Sequence, residues 1–473
     1  MNLYLGIDFG TSGARAVAID SAGTPHAQAS CAFEVPAAGM QERERGEHPV
    51  KTLTPLTPLS HERRGGKIKN SPLSPSAGGE GEGDYKNGML PVRGLPALWE
   101  TALFSLLEQI PPEVRRQLRA IAIDGTSSTV LLCDSAGVPV TEPLLYSDAR
   151  GAAVMESLRE IAPANHTVLS ATSSLAKLLW WVKCGDDIQR STRGKYLLHQ
   201  ADWLAFLLHG KLGVSDYNNA LKLGYDPENL RYPDWIYQID SLPQLPEIVK
   251  PGEPVGEVTG EIASRFGLRR DCAVCAGTTD SIAAFLASGA ELPGEAVTSL
   301  GSTLVLKLLS RTRVDDARYG IYSHRLGEFW LAGGASNTGG AVLRQFFTDE
   351  ELESLSRHID TEKESPLDYY PLTKAGERFP INDSQLQPRL QPRPDEPVEF
   401  LHGLLESMAR IEARGYHLLR ELGATALTRV HTAGGGAKNP AWRRIRERHL
   451  GVPVSVPVRV EAAYGSALLA MRS

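Results

Sequence analysis

One pattern occurs twice in this chain, and it restricts the fold more than any other: two apolar strands joined by a glycine and two hydroxyl residues. The first copy is LYLGIDFGTSGARAVAID, with Gly10, Thr11 and Ser12 at its turn, and the second is EAVTSLGSTLVLKLLS, with Gly301, Ser302 and Thr303. Glycine lets the backbone turn tightly and approach a ligand, and turn N–H groups with hydroxyls can satisfy phosphate oxygens. One such turn is common in ordinary hairpins. Two in matching contexts predict a duplicated fold that closes on a polyphosphate from both sides. The copies are not equivalent, because Asp8 stands two positions before the first glycine where Ser299 stands in the second. A carboxylate beside a phosphate cradle is costly unless a cation lies between them, so Asp8 is expected to orient Mg²⁺ through water.

Short strands alternating with helical stretches predict an α/β protein. Strands are expected at 3–9, 14–20 and 27–35, then a helix over 95–109 with Leu98, Ala102, Leu103, Leu106 and Leu107 on one face. A strand at 119–124 opens a second hairpin-like pair, with GTSST between its strands and Ser135-Ala136-Gly137 as the next turn. Residues 151–270 read as mostly helical, with Trp180, Trp181, Trp203 and Trp235 in the core. A chain of 473 residues exceeds the size at which single cores stop growing. A boundary falls near Leu292-Pro293-Gly294, which divides the chain into domains 1–291 and 292–473. Residues 41–88 stand apart, dense in Pro, Ser, Gly and charge. Such composition cannot bury enough apolar area to offset the entropy of ordering, so a disordered insertion is expected there.

A net charge of −6 and the lack of a basic run speak against nucleic acid as a partner. The opening MNLYLGIDFG has no positive leader region and reads as a first strand rather than a signal peptide. No window approaches 18 uncharged apolar residues, so no membrane span is expected and the compartment reads as cytoplasmic. Five cysteines, an odd number, suit reduced thiols. Cys272 and Cys275 form a C-x-x-C, but a zinc site needs a second ligand pair, and CAVCAGTT reads as a core strand.

Two further segments carry chemistry. In VHTAGGGAKNPAWRRIRERHLG, Gly434, Gly435 and Gly436 permit close approach of a flat ligand, and the helix start that follows favours an anion. A glycine-rich strand-to-helix turn without a ligand is the plain reading. In AGTTDSIAAFLASGA, Asp280 follows a strand and a Gly-Thr-Thr turn at the start of a helix. It is either a helix cap or a base that accepts the proton of a substrate hydroxyl during phosphoryl transfer. Asp8-Phe9-Gly10 spells the D-F-G of protein kinases but sits on the first strand, and no G-x-x-x-x-G-K-[ST] occurs.

GIDFGTSGARA, AIDGTSSTVLL with YSDAR after it, AGTTDS, SLGSTLVLK, AGGGAKNPAW and EAAYGSALLA occur in this order. In that order the chain resembles the FGGY carbohydrate kinases, of the actin, Hsp70 and hexokinase-like ATPase superfamily. The resemblance covers nearly everything outside 41–88. It implies two ribonuclease H-like domains with the active site in the cleft between them, ATP and Mg²⁺ as cofactors, and Asp280 as catalytic base. It also implies phosphate contacts at Gly10, Thr11, Ser12, Gly301, Ser302 and Thr303, and adenosine contacts at Gly435, Gly436, Ala437 and Asn439. Gly125-Thr126-Ser127-Ser128 replaces the Gln-Met-His-Gly usual in xylulokinase-like members, and Tyr146 replaces a Trp before Asp148 and Arg150. Together with Gly13-Ala14-Arg15, this looks like the branch that phosphorylates D-ribulose. Carried over, the sugar contacts are Asp8, Ser12, Gly13, Ala14, Arg15, Ser127 and Asp280. The rival acceptors are D-xylulose or another ketopentose or polyol. The rival of another class is an actin- or Hsp70-like ATPase used as a binding module. A monomer or homodimer is expected.

Overall fold

The computed structural model describes residues 1–33, 94–184, 196–240 and 242–473. The insertion expected at 41–88 lies outside the described residues. The first sheet contains β1 (Leu3–Phe9), β2 (Gly13–Asp20), β3 (Pro25–Ala32) and β4 (Leu118–Gly125). Next come β5 (Val130–Cys133), β6 (Tyr196–His199), β7 (Val214–Asp216) and β8 (Glu247–Val249), which form two small sheets, then β9 (Pro254–Glu257) and β10 (Ala273–Thr279). The large sheet has the order β3-β2-β1-β4-β10-β9. Strands β1, β2 and β3 form an antiparallel meander, and β4 and β10 run parallel to β1.

The second large sheet repeats the plan. It comprises β11 (Glu295–Leu300), β12 (Leu304–Ser310), β13 (Tyr322–Leu326), β14 (Phe329–Ser336), β15 (Arg429–Ala433) and β16 (Val454–Ser455), in the order β13-β14-β12-β11-β15-β16. Again an antiparallel meander is followed by parallel strands, with β11 in the place of β1 and β15 in the place of β4.

Side chains alternate across a strand, so each sheet has two distinct faces. On β1, Leu3, Leu5, Ile7 and Phe9 are buried with Trp99, Leu103, Leu106 and Leu107 of the helix Gly94–Gln109. Trp99, rather than the expected Leu98, is the first large residue buried on that helix. The other face of β1 carries Tyr4, Gly6 and Asp8. There the last helix, Ala462–Met471, lies so close that a Cβ on Gly6 would stand 2.0 Å from the Ala463 carbonyl oxygen. Helix Asp280–Ala287 packs beside it, and a Cβ on Gly465 would meet the Ala283 carbonyl at 1.8 Å. Ile282 and Phe285 of that helix also bury against Val297, Leu309 and Leu331 of the second sheet. Two helices made of small residues thus line the inner faces of both sheets.

Several local expectations change. β5 does not pair with β4 as a hairpin; it leaves the sheet and pairs antiparallel with β6, so GTSST is a connection and not a hairpin turn. Gly277, Thr278 and Thr279 form no turn. They end β10, and helix Asp280–Ala287 follows at once. The described part of residues 151–270 holds short helices such as Met155–Ile161, Ser174–Cys184 and Gln200–His209, mixed with short strands, where a mostly helical stretch is expected. Of the four tryptophans there, Trp181 and Trp203 are buried and Trp180 and Trp235 half-buried. The C-x-x-C is core strand: both thiols are buried and free, and burial pushes Cys272 up to about 12 and Cys275 to about 11.

Candidate active site

The register of the first sheet gathers three charged residues at the ends of its strands. Asp8 pairs with Arg15 across the first hairpin and with Asp124 on the parallel neighbour. The equivalent positions of the second sheet are Ser299, Val305 and Ala433. The asymmetry noted at Asp8 and Ser299 therefore extends to a whole triplet, and only the first lobe is charged at this place.

Asp124 is entirely buried. Burial, and next the charge of Asp8, push its carboxyl well above the usual range. Its Oδ2 accepts from Ser466 Oγ at 2.5 Å, and its Oδ1 faces no donor among the described residues. A protonated Asp124 can instead donate to Asp8, and that hydrogen bond with the Arg15 charge opposes the upward push of burial on Asp8. Sequence reasoning missed Asp124. The signal was present, since IDFG and IDGT place an aspartate at the carboxyl end of adjacent parallel strands, where ligands of α/β sheets gather.

The turn after β1 is held by Gly10 N–H donating to Gly13 C=O at 3.0 Å and by Phe33 N–H donating to Ser12 C=O at 3.0 Å. Thr11 and Ser12 are exposed and Gly10 and Gly13 half-exposed. Gly13 lacks a Cβ because one would meet the Cys31 carbonyl at 2.6 Å, and the Ala14 side chain is buried in the core. The matching turn is closed by Gly301 N–H donating to Thr303 C=O at 3.1 Å. It is braced from below, where Gly340 N–H donates to Gly301 C=O and Ala341 N–H to Ser302 C=O. Gly339 supplies the φ of 144° that this close approach needs.

Asp280 is the first residue of its helix, but it does not cap it. The cap position is Thr279, and Asp280 Oδ1 accepts only from the neighbouring Ser281 N–H at 2.6 Å. The plain capping role is thereby set aside. Burial raises its carboxyl above the usual range, with Lys307 the main opposing charge. Lys307, on β12, reaches over from the second sheet and donates to Ser281 C=O at 2.7 Å. Burial pushes its ammonium down to about 8. A lysine within the apolar run LVLKLL was the signal for it.

Ser127 is the one residue of 121–130 that is not buried, while Ser128 is buried with a left-handed φ of 64°. Thr126 is spent on Gln200 Oε1 and Thr129, and Thr129 Oγ1 accepts from Tyr146 N–H at 3.0 Å. Asp148 and Arg150 form an ion pair at 2.8 Å, and the guanidinium lies over the Trp180 ring.

On the other lobe, Gly301, Gly435, Gly436 and Asn439 line one cavity of about 710 Å³, together with Arg344, Asp349 and Glu353. The expected phosphate turn and adenosine segment are thus brought together there, whereas Ser302, Thr303 and Ala437 are not among its lining residues. Gly436 is required by packing, since a Cβ would meet the Trp442 ring at 2.6 Å. The Asn439 amide shapes the wall: Oδ1 accepts from Trp442 N–H, capping the helix Pro440–Leu450, and Nδ2 donates to Ser356 Oγ at 2.8 Å.

Two duplicated sheets, each with a glycine–hydroxyl turn, and an aspartate pair at the strand ends of the first sheet only, give a two-domain α/β fold of the actin- and hexokinase-like ATPase type. Residues 95–287 match the FGGY family of carbohydrate kinases, N-terminal domain, and residues 296–473 match its C-terminal domain. The chain belongs to the FGGY family of carbohydrate kinases and is a phosphotransferase. It is similar to the xylulose kinase of Staphylococcus epidermidis, at 22% identity over 74% of each chain. It is also similar to the autoinducer-2 kinase of Yersinia enterocolitica, at 26% identity over 75% of this chain and 72% of that one. The structure of xylulose kinase from Rhodospirillum rubrum has the same fold, with a TM-score of 0.76 at 19% identity, covering 99% of this chain and 89% of that one. Membership in this kinase family sets aside the ATPase binding module. Among the described residues, no helix is long and apolar enough to cross a membrane.

Proposed function

We propose that this kinase is a cytoplasmic enzyme that transfers the γ-phosphoryl group of ATP to the terminal hydroxyl of D-ribulose, giving D-ribulose 5-phosphate and ADP. The observation that carries the reading is a half-buried Asp280 carboxylate, not used as the helix cap, on the same inner seam as Asp8 and next to a turn whose one residue that is not fully buried is Ser127. Asp280 takes the proton of the attacking hydroxyl; its raised proton affinity suits a base. Asp8, Ser12, Gly13, Ala14, Arg15 and Ser127 hold the sugar, with Ala14 limited to its main chain. Gly10, Thr11, Ser12, Gly301, Ser302 and Thr303 hold the phosphates, and Gly435, Gly436, Ala437 and Asn439 the adenosine. Residues 1–291 then serve mainly the sugar and 292–473 the nucleotide.

Among the described residues, no group of three acidic, His or Cys side chains is placed to hold an ion. Asp8 would carry Mg²⁺ through water, since this ion takes most of its ligands from water and phosphates. Held there, Mg²⁺ would supply positive charge against the phosphate oxygens during phosphoryl transfer. The acceptor is the open choice within this reading. Thr126, Ser127 and Ser128 in place of a Gln-Met-His-Gly segment favour D-ribulose, whereas the xylulose kinase among the similar proteins favours D-xylulose. A coupled assay of ADP release over a panel of pentuloses and polyols decides: fast turnover of D-xylulose with little of D-ribulose overturns the preferred acceptor.

A further inference from the structure

Lys177 lies in the helix Ser174–Cys184 with none of its surface exposed. A buried ammonium is unfavourable unless its donors are used, and burial pushes this one down to about 8. Among the described residues no carboxylate accepts from it, although the charge of Asp148 acts on it from nearby. Two of its donors go to main-chain carbonyls, Ser128 C=O and Leu145 C=O, each at 2.7 Å. A methionine would fill similar volume with no charge to desolvate, so packing alone does not account for a lysine here.

The two carbonyls belong to the two segments that border the sugar side. One is the 126–129 turn, in which Ser127 alone is half-buried rather than buried; the other leads into Tyr146, Ser147 and Asp148. Thr129 N–H donates to Thr126 C=O at 3.2 Å and closes the turn, and its strained point, Ser128, lies inside that closure. Ser128 has a left-handed backbone, uncommon for a residue with a side chain, and its own buried Oγ has no partner among the described residues. The Lys177 ammonium grips the carbonyl of that residue, next to Ser127.

We propose that Lys177 is a positioning residue for the acceptor: by clamping the Ser128 and Leu145 carbonyls to one cation, it fixes the direction of the Ser127 hydroxyl. The inference rests on the reading of Ser127 as an acceptor contact. Steady-state kinetics of Lys177→Met, Ser127→Ala and the double variant test it, using ATP and the acceptor turned over fastest in the panel. Lys177→Met should raise the KM of the acceptor roughly tenfold and leave that of ATP within about twofold, as loss of one well-placed hydrogen bond does. In the Ser127→Ala background the effect of Lys177→Met should largely vanish, because the two act through one contact. Equal rises in both KM values, or a lower melting temperature with both unchanged, overturn the proposal. An unchanged acceptor KM in Ser127→Ala overturns the reading of Ser127 and this inference with it. A Ser127 effect without a Lys177 effect overturns this inference alone. Should Lys177→Met fail to fold, Lys177→Gln, which is shorter and uncharged, is read the same way, with an unchanged acceptor KM counting against the clamp.

Discussion

Ser466, on the last helix, donates its hydroxyl to Oδ2 of Asp124 at the end of β4, at 2.5 Å. The bond spans most of the chain length and ends on a carboxyl that no water reaches. Since Asp124 Oδ1 faces no donor among the described residues, Ser466 is its main support. Ser466→Ala should therefore cost about 1–3 kcal/mol, the usual penalty for orphaning a buried polar atom. Urea unfolding of the two proteins measures it, and equal midpoints would remove the bond from the account.

Asp280→Asn should lower kcat by roughly 10²–10⁴-fold while circular dichroism stays unchanged, as expected for loss of a general base. Full activity in this variant would exclude Asp280 from proton transfer.

The pH profile gives a second test of the same carboxyl. A base must be ionised, so kcat/KM should fall as pH drops through the Asp280 pKa. Burial places that limb above the ordinary carboxylate range. Lys307 opposes the shift, so Lys307→Met should move the acidic limb to higher pH. A limb that stays in place would mean that the ammonium does not act on Asp280.

Gly465→Ala should be among the most damaging single changes outside the site. The added Cβ would lie 1.8 Å from the Ala283 carbonyl, a main-chain atom of the Asp280 helix that cannot move aside alone. A loss of about 3 kcal/mol or more is expected from overpacking of this kind, with reduced kcat as the Asp280 helix shifts. Thermal unfolding and turnover together check it.

Asp216 offers a stability test away from the cleft. It is buried at the end of β7, where its Oδ1 accepts from Asn218 N–H and Asn219 N–H, and burial pushes it up to about 7. The folded state then binds more protons than the unfolded one between about pH 4 and 7, so this group's contribution is full at the acid end and is lost as pH rises through about 7. Asp216→Asn should flatten that fall, which is of the order of a few kcal/mol. Denaturant unfolding from pH 4.5 to 8 measures the slope, and identical slopes would show that Asp216 is already ionised.

Much of this was legible in the sequence, for identifiable reasons. Strands β1, β2 and β4 announce themselves as apolar runs, and the Gly–hydroxyl turns mark their ends. Asp280 stood out because an acid opens a helix otherwise made of small residues. What the sequence hid was pairing. Nothing local in AIDGTSSTVLL says that β5 abandons β4 for β6, because both partners are equally apolar. Likewise Asp124 acquires meaning only when parallel register sets it beside Asp8, and Lys307 only when its strand faces the Asp280 helix. Lys177 reads as an ordinary surface residue of SLAKLLWW until the helix is seen to be buried on every side of it. Residue type was readable wherever chemistry is local, and unreadable wherever it depends on which strand lies next.

The last helix has a consequence of another kind. Its Ala463, Ala467 and Ser466 complete the inner face of a sheet whose first strand begins at Leu3. During synthesis that strand leaves the ribosome well before this helix. Until the final turn of helix has emerged, the early sheet has a bare face at Gly6 and a buried acid without its donor. A nascent chain of this kinase must therefore hold its first lobe unfinished while the second is built.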